Sequence, residues 1–174
     1  MVKITDPDFG EKLAKAIESI GPNMAVTGEI CAQGYLFEWL GKDLRQSQYV
    51  IRESKGIDVI ALVEQQPHLE RSVRYIPPTE LGEFEPHYQA MLQRKGEIEI
   101  PVNGGVVSLP VIPVDYLIAM GLCSETFLPG WYTRALIKIG RDEKKFDGEP
   151  VRGILKALGE AEKFDRVKEM LYDF

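Results

Sequence analysis

Apolar positions recur along this chain with two different periods, which separate helices from strands. Helical spacing predicts helices over residues 8–20, 29–40, 87–93, 114–122, 131–140, 150–158 and 160–174. Alternating or β-branched runs predict strands over residues 24–27, 57–63, 72–76, 97–101 and 106–112, with a short additional strand at 49–51. The order predicts an α+β fold, in which a mixed sheet flanked by helices spans residues 1–112. A helical portion, residues 113–174, packs on it as part of one compact unit.

The composition of the chain excludes several classes of protein. The chain has 174 residues, 44% of them hydrophobic, which is ordinary for a globular protein and excludes intrinsic disorder. No apolar run approaches the roughly 20 residues that cross a bilayer, and residues 1–10 are too polar for a secretory signal. The net charge of −6 disfavours a global electrostatic clamp on nucleic acid but leaves room for a local basic groove. We therefore expect a cytoplasmic protein with no membrane partner.

The cysteines and histidines give no motif with metal-site spacing. Cys31 and Cys123 lie in apolar surroundings, so we interpret them as buried, inert thiols, with a redox or metal role as the alternative. His68 and His87 each follow a proline, which is typical of surface turns.

A glycine and an acidic residue occupy unusual places in the predicted strands. Gly28 stands where a strand passes into a helix, which either satisfies a steric need or lets a phosphate approach the helix N-terminus. Asp58 lies inside an apolar strand. Because burying a bare carboxylate is costly, it should sit at a strand end, pair with a base such as Arg52 or Lys55, or hold a metal ion.

Two further carboxylates, Glu97 and Glu99, alternate with isoleucines on a predicted strand and so share one face. Alone, this pattern is typical of the solvated face of an edge strand. Its position downstream of Gly28 and Asp58 gives it a second interpretation.

Four segments, in this order, resemble the nucleotidyltransferase superfamily with the polymerase-β-like fold. The similarity is greatest to small bacterial and archaeal members related to abortive-infection and toxin–antitoxin nucleotidyltransferases. Val26-Thr27-Gly28-Glu29 resembles the family's strand ending in Gly-Gly or Gly-Ser, and residues 52–58 resemble its Arg-x-Ser/Thr-x-Asp-hydrophobic-Asp strand. Residues 109–120 (LPVIPVDYLIAM) resemble a strand that feeds a helix beside the site, and residues 141–147 resemble the start of a later helix.

The resemblance implies transfer of a nucleoside monophosphate from a nucleoside triphosphate to a hydroxyl of a protein, RNA or small molecule, with Mg²⁺ held by carboxylates. Asp58 would be the second metal carboxylate and Glu99 the third, with Glu97 as its substitute. These carboxylates would be both catalytic and metal-binding. The predicted nucleotide-binding residues are Gly28, Glu29, Arg52 and Ser54.

Two positions depart from the family pattern and favour an alternative. Gly56 stands at the first metal carboxylate, and Glu29 replaces the Ser or Gly of the turn. Loss of a bridging carboxylate removes orders of magnitude of rate in a two-metal mechanism. The alternative is a catalytically inactive module of the same fold that binds a nucleotide or a protein.

Two aromatic residues and a basic cluster of the helical portion each allow two interpretations. Trp39, Trp131 and Tyr132 are assigned to core packing, and the alternative for the last two is a base-stacking wall. The cluster Lys138, Arg141, Lys144 and Lys145 is either a solvated helix end or a contact for phosphate or RNA. The apolar stripe of residues 161–174 is assigned to the core, with a protein interface as the alternative.

Overall fold

A five-stranded mixed sheet confirms the predicted α+β class. The computed structural model describes residues 14–20, 23–40, 57–61, 73–102 and 105–172. The strands are β1 (Met24–Thr27), β2 (Ile57–Ala61), β3 (Val73–Tyr75), β4 (Gly96–Val102) and β5 (Gly105–Val111). They confirm five of the predicted strands, and the sixth, at 49–51, lies outside the described residues.

Helices flank this sheet. Within the described residues they are α1 (residues 14–18), α2 (Gly28–Leu40), α3 (Tyr88–Gln93), α4 (Val114–Cys123), α5 (Gly130–Asp142), α6 (Gly148–Ala157) and α7 (Ala161–Tyr172). The proline-rich stretch before α3 forms a 3₁₀ segment, Pro78–His87, interrupted at Gly82. None of the described helices is both long and apolar enough to cross a bilayer.

The sheet has the strand order β3-β2-β1-β5-β4. β1 pairs antiparallel with β2 and parallel with β5, while β3 runs parallel to β2. The registers Thr27↔Asp58 and Asp58↔Arg74 place these three residues in one row across β1, β2 and β3. Two charged side chains and one hydroxyl therefore lie side by side where β1 ends.

One hydrophobic core includes residues of both the α/β portion and the helical portion. The nearly apolar α2 is buried along most of its length, as its sequence predicts, and Trp39 is only 8% exposed. Phe164 on α7 is buried as well, which confirms core packing for this part of the last helix. The hydroxyl of Tyr88 accepts from Ala61 N and donates to Ile76 O, so the ends of β2 and β3 are held to α3.

The C-terminus of α5 adopts a tight turn that requires one residue in a left-handed conformation. Lys144 N donates to Arg141 O at 3.0 Å and Lys145 N donates to Gly140 O at 2.8 Å. This pair of bonds defines a Schellman motif, in which the residue at the position of Lys144 has positive φ. Lys144 has φ of +53°, the only positive φ among the non-glycine residues that the structure describes.

The C-terminus of α6 makes the same turn with glycine at that position. Gly159 N donates to Lys156 O at 3.1 Å and Glu160 N donates to Leu155 O at 2.8 Å, and Gly159 has φ of +73°. Since glycine adopts this conformation without a steric penalty, Lys144 carries a conformational cost that Gly159 avoids.

Replacing Lys144 by glycine should stabilise the protein. Glycine relieves the left-handed strain, but it also gives the unfolded chain more conformational freedom. The net effect should raise the free energy of unfolding by about 0.5–1 kcal/mol. The expected rise in Tm is about 1–4 °C. Urea and thermal denaturation measure both. Lys145→Gly is the matched control, because it removes the same charge without relieving a positive φ; equal effects of the two substitutions would contradict this explanation.

Candidate functional site

The site is built on the turn by which β1 passes into α2 without a connecting loop. Thr27 is the last residue of β1 and Gly28 the first of α2. Gly28 has φ of +73°, and a Cβ at this position would lie 3.1 Å from Asp58 Oδ2. Both the backbone conformation and the neighbouring carboxylate therefore require glycine here.

Asp58 is held by a bidentate ion pair with Arg74. Arg74 Nε donates to Asp58 Oδ1 at 2.9 Å, and Nη2 donates to Oδ2 at 3.1 Å. The hydrogen bond and the charge of Asp58 raise the pKa of the Arg74 guanidinium. The Asp58 side chain is 27% exposed and that of Arg74 63%, so the pair lies at the rim of the sheet and solvent screens it.

A small pocket opens beside this ion pair. Its volume is about 70 Å³. The polar lining residues are Thr27, Asp58, Arg74, Glu80 and Thr126, and the apolar ones are Ile76, Leu81, Met120 and Phe127. Met120 belongs to α4, so the helix that follows β5 packs beside the pocket.

The structure does not bring Glu99 to Asp58, which corrects the carboxylate pairing expected from the sequence. Asp58 lies on β2 and Glu99 on β4, with β1 and β5 between them. Three strand spacings separate their backbones by roughly 14 Å, whereas both carboxylates on one Mg²⁺ would each stand about 2.1 Å from it. Glu97 lies on the same edge strand, and both glutamates are exposed there, as on a solvated face.

The described residues do not fit the Mg²⁺ site that the resemblance implies. Among the described residues, no three His, Cys, Asp or Glu side chains come together as a metal site would require. Asp58 is one carboxylate, and its facing residue on the neighbouring strand β3 is a base, Arg74. A cation thus already stands beside the carboxylate that would bind the metal.

Of the four predicted nucleotide-binding residues, two lie in the described part of the chain and two do not. Gly28 occupies the strand-to-helix turn, where it was expected, and Glu29 lies half-buried in the first turn of α2. Arg52 and Ser54 lie outside the described residues, as does Lys55, which was one of the bases expected to pair with Asp58.

Sequence reasoning missed Arg74, the base that both oxygens of Asp58 contact. The signal was present, since residues 72–76 read as an apolar strand with one arginine at its centre. The sequence pattern does not predict that this strand lies next to β2, or that its register places Arg74 opposite Asp58.

A second polar cluster anchors the start of α4 and is structural. Asp115 is buried; its carboxylate accepts from Arg94 Nη2 at 3.2 Å and from the backbone N of Tyr116 at 3.0 Å. Charge attraction by Asp115 raises the pKa of Arg94. The Tyr116 hydroxyl lies 3.3 Å from His87 Nδ1, so this cluster joins α4 to the 3₁₀ segment.

Burial disfavours the thiolate form of both cysteines. Burial raises the pKa of the Cys31 thiol, and partial burial raises that of Cys123. Because the thiolate is the reactive form, these shifts support the interpretation of inert thiols.

Comparison of the chain with protein-family models, with curated proteins and with solved structures finds no match.

The contact between Gly28 and Asp58 should be measurable by substitution with alanine. Gly28 and Gly159 have the same φ of +73°, but no atom lies within 4 Å of a Cβ built at Gly159. Gly159→Ala should therefore cost about 1 kcal/mol for its backbone conformation alone. Gly28→Ala should cost about 1 kcal/mol more, because its Cβ also meets Asp58.

A double-mutant cycle isolates that extra cost. When Gly28→Ala is introduced into an Asp58→Ala background, urea denaturation should show only the cost of the backbone conformation. Equal costs at Gly28 and Gly159, or an excess that persists without Asp58, would show that the carboxylate does not restrict the turn.

Proposed function

We propose that this chain is a non-catalytic binding module of nucleotidyltransferase-like architecture. In this proposal its pocket takes a nucleoside or a nucleoside monophosphate without Mg²⁺. The observation that supports it is the bidentate ion pair of Arg74 with Asp58, which commits both carboxylate oxygens to a guanidinium.

The charges around Asp58 argue against metal-dependent transfer. The family chemistry needs carboxylates on β2 and on a neighbouring strand to hold two metal ions. Here Gly56 stands at the first position and Arg74 occupies the register facing Asp58 on β3. Among the described residues, Asp58 and Glu80 are the carboxylates that line the pocket, and Arg74 pairs with Asp58, so the site offers fewer oxygen ligands than Mg²⁺ prefers.

The pocket lining matches a small ligand with polar and apolar groups. The Arg74 guanidinium and the hydroxyls of Thr27 and Thr126 can donate to a phosphate or a sugar hydroxyl. Phe127 and Met120 add apolar surface to the same pocket. Such a mixture, apolar walls with a few polar groups, is typical of small-molecule sites.

Size and charge favour a ligand with one phosphate over a triphosphate. At about 70 Å³ the pocket is smaller than the roughly 300–1,000 Å³ of most ligand sites, so one group of the ligand would enter it and the rest would lie outside. Glu80 lies close enough to Arg74 for its charge to raise the arginine pKa. Together with Asp58, it gives the site two negative charges that repel a polyphosphate.

Calorimetric titration with nucleosides, nucleoside monophosphates and triphosphates tests this function. We expect weak binding whose Kd changes by less than about twofold when Mg²⁺ is added, since no shared metal is needed. Triphosphates should bind at least about threefold more weakly than monophosphates because of the two carboxylates. Mg²⁺-dependent binding, or transfer of a labelled nucleotide to an acceptor, would overturn the proposal in favour of an enzyme.

Arg74→Ala should weaken monophosphate binding by about 5- to 20-fold, because a charged donor is lost from a solvent-screened site. Arg152→Ala is the matched control. Arg152 makes a similar half-exposed pair with Asp165, at 3.1 Å, between α6 and α7. An equal loss in both variants, or none in either, would show that Arg74 does not contact the ligand.

Arg74→Asp should convert the ion pair into a metal-responsive pair of carboxylates. Two acidic side chains facing each other across β2 and β3 repel, and a divalent cation between them removes the repulsion. Mn²⁺ or Mg²⁺ at about tenfold excess over Kd should then raise the Tm of this variant by about 2–5 °C.

The wild-type protein and Arg74→Asn, which removes the guanidinium without adding a carboxylate, should shift by about 1 °C or less under the same conditions. A comparable rise of Tm in the wild-type protein would reveal a metal site that the ion pair does not block.

A further inference from the structure

The outer face of α5 combines basic side chains with an exposed tryptophan. Trp131, Arg134, Lys138 and Arg141 are all exposed. Their spacing of three, four and three residues places them on one side of the helix, over a length of about 15 Å. Lys144, also exposed, continues the series beyond the helix end. We call these five residues the α5 face.

The charge of this segment opposes that of the whole chain. Residues 130–145 contain five basic and two acidic side chains, a local charge of +3, whereas the chain as a whole carries −6. One of the acids, Asp142, pairs with Arg141 at 2.9 Å, so part of the positive charge is compensated locally. The remaining excess marks this surface as a contact for an anionic partner.

Trp131 departs from the core packing expected from the sequence. It is 47% exposed, and Val106 is the other large apolar side chain that the described part of the chain leaves exposed. Its ring stacks on that of Tyr132, with centroids 3.6 Å apart and an interplanar angle of 27°. Tyr132 is buried, and its hydroxyl accepts from Gln33 Nε2 at 2.8 Å. One face of the Trp131 indole therefore packs on the buried Tyr132 ring, while much of the indole is exposed to solvent.

Lys144 extends the α5 face past the end of the helix. Lys144 has the left-handed backbone conformation that Gly159 has at the end of α6, and this conformation costs free energy for a residue with a side chain. In this position the lysine adds a positive charge at the C-terminal end of the α5 face.

We propose that the α5 face binds single-stranded nucleic acid. Arg134, Lys138, Arg141 and Lys144 contact successive phosphates, and Trp131 stacks on an unpaired base. Basic side chains combined with an accessible aromatic ring are the features by which proteins hold single strands. A duplex keeps its base faces covered, and an acidic peptide would use the charges but not the ring. This surface is distinct from the pocket, so the proposal does not rest on the pocket's function.

Fluorescence anisotropy with a labelled oligouridine, at low and at physiological salt, tests the proposal in the full chain. Trp131→Ala should weaken binding by about 5- to 100-fold, the range measured for loss of one base stack. Lys138→Glu, on the solvent side of the helix, should weaken binding and reduce the slope of log K against log salt by at least about 0.7. Lys156→Glu, an exposed lysine of α6, is the matched control and should change Kd by less than about twofold.

The alternatives give different results. Equal affinity for a duplex, or an unchanged Kd in Trp131→Ala, would show a general polyanion surface and overturn the proposal. Competition by polyaspartate as effective as that by oligouridine would indicate an acidic protein partner instead. Absence of binding by the folded wild-type protein would overturn it as well. Circular dichroism confirms folding of each variant, and Lys138→Glu remains informative if Trp131→Ala is unstable.

Discussion

The chain passes from β1 into α2 with no connecting residue, and this turn depends on the positive φ of Gly28. Because the turn is so short, the Asp58 carboxylate lies against the Gly28 backbone at the first turn of the helix. The same register aligns Thr27 on β1, Asp58 on β2 and Arg74 on β3. The turn at Gly28 and this register together place Thr27, Asp58 and Arg74 beside the pocket.

Charge compensation then determines what chemistry this position can support. A carboxylate at the rim of a sheet can bind a metal ion if further carboxylates join it, or it can pair with a base. Arg74 provides the base, and its two hydrogen bonds to Asp58 fix the geometry of the pair. The proposed binding role rests on this charge compensation, because a carboxylate paired with a guanidinium is a poor ligand for Mg²⁺.

The secondary structure could be predicted largely from the sequence because local patterns encode it. Apolar alternation identified β4 and β5, and helical periodicity identified α4 to α7. Asp58 was recognisable as a carboxylate in need of a partner. Its partner was not, since Arg74 lies 16 residues away and the pairing depends on which strands are neighbours. The same reason explains why Glu99 does not lie near Asp58. The alternating pattern predicted its strand face, but the order of the strands puts β4 at the edge of the sheet, away from β2.

Trp131 and Lys144 illustrate the same division on the surface. The sequence by itself determined the elements, the glycine at the β1–α2 turn and the presence of a lone carboxylate in an apolar strand. These follow from backbone sterics and the spacing of apolar residues, which are properties of short segments. Only the tertiary structure decided that Arg74 faces Asp58, that Glu99 is remote, and that Trp131 lies on a buried tyrosine while its ring remains exposed. Those outcomes depend on strand order and helix packing, which join residues far apart in the chain.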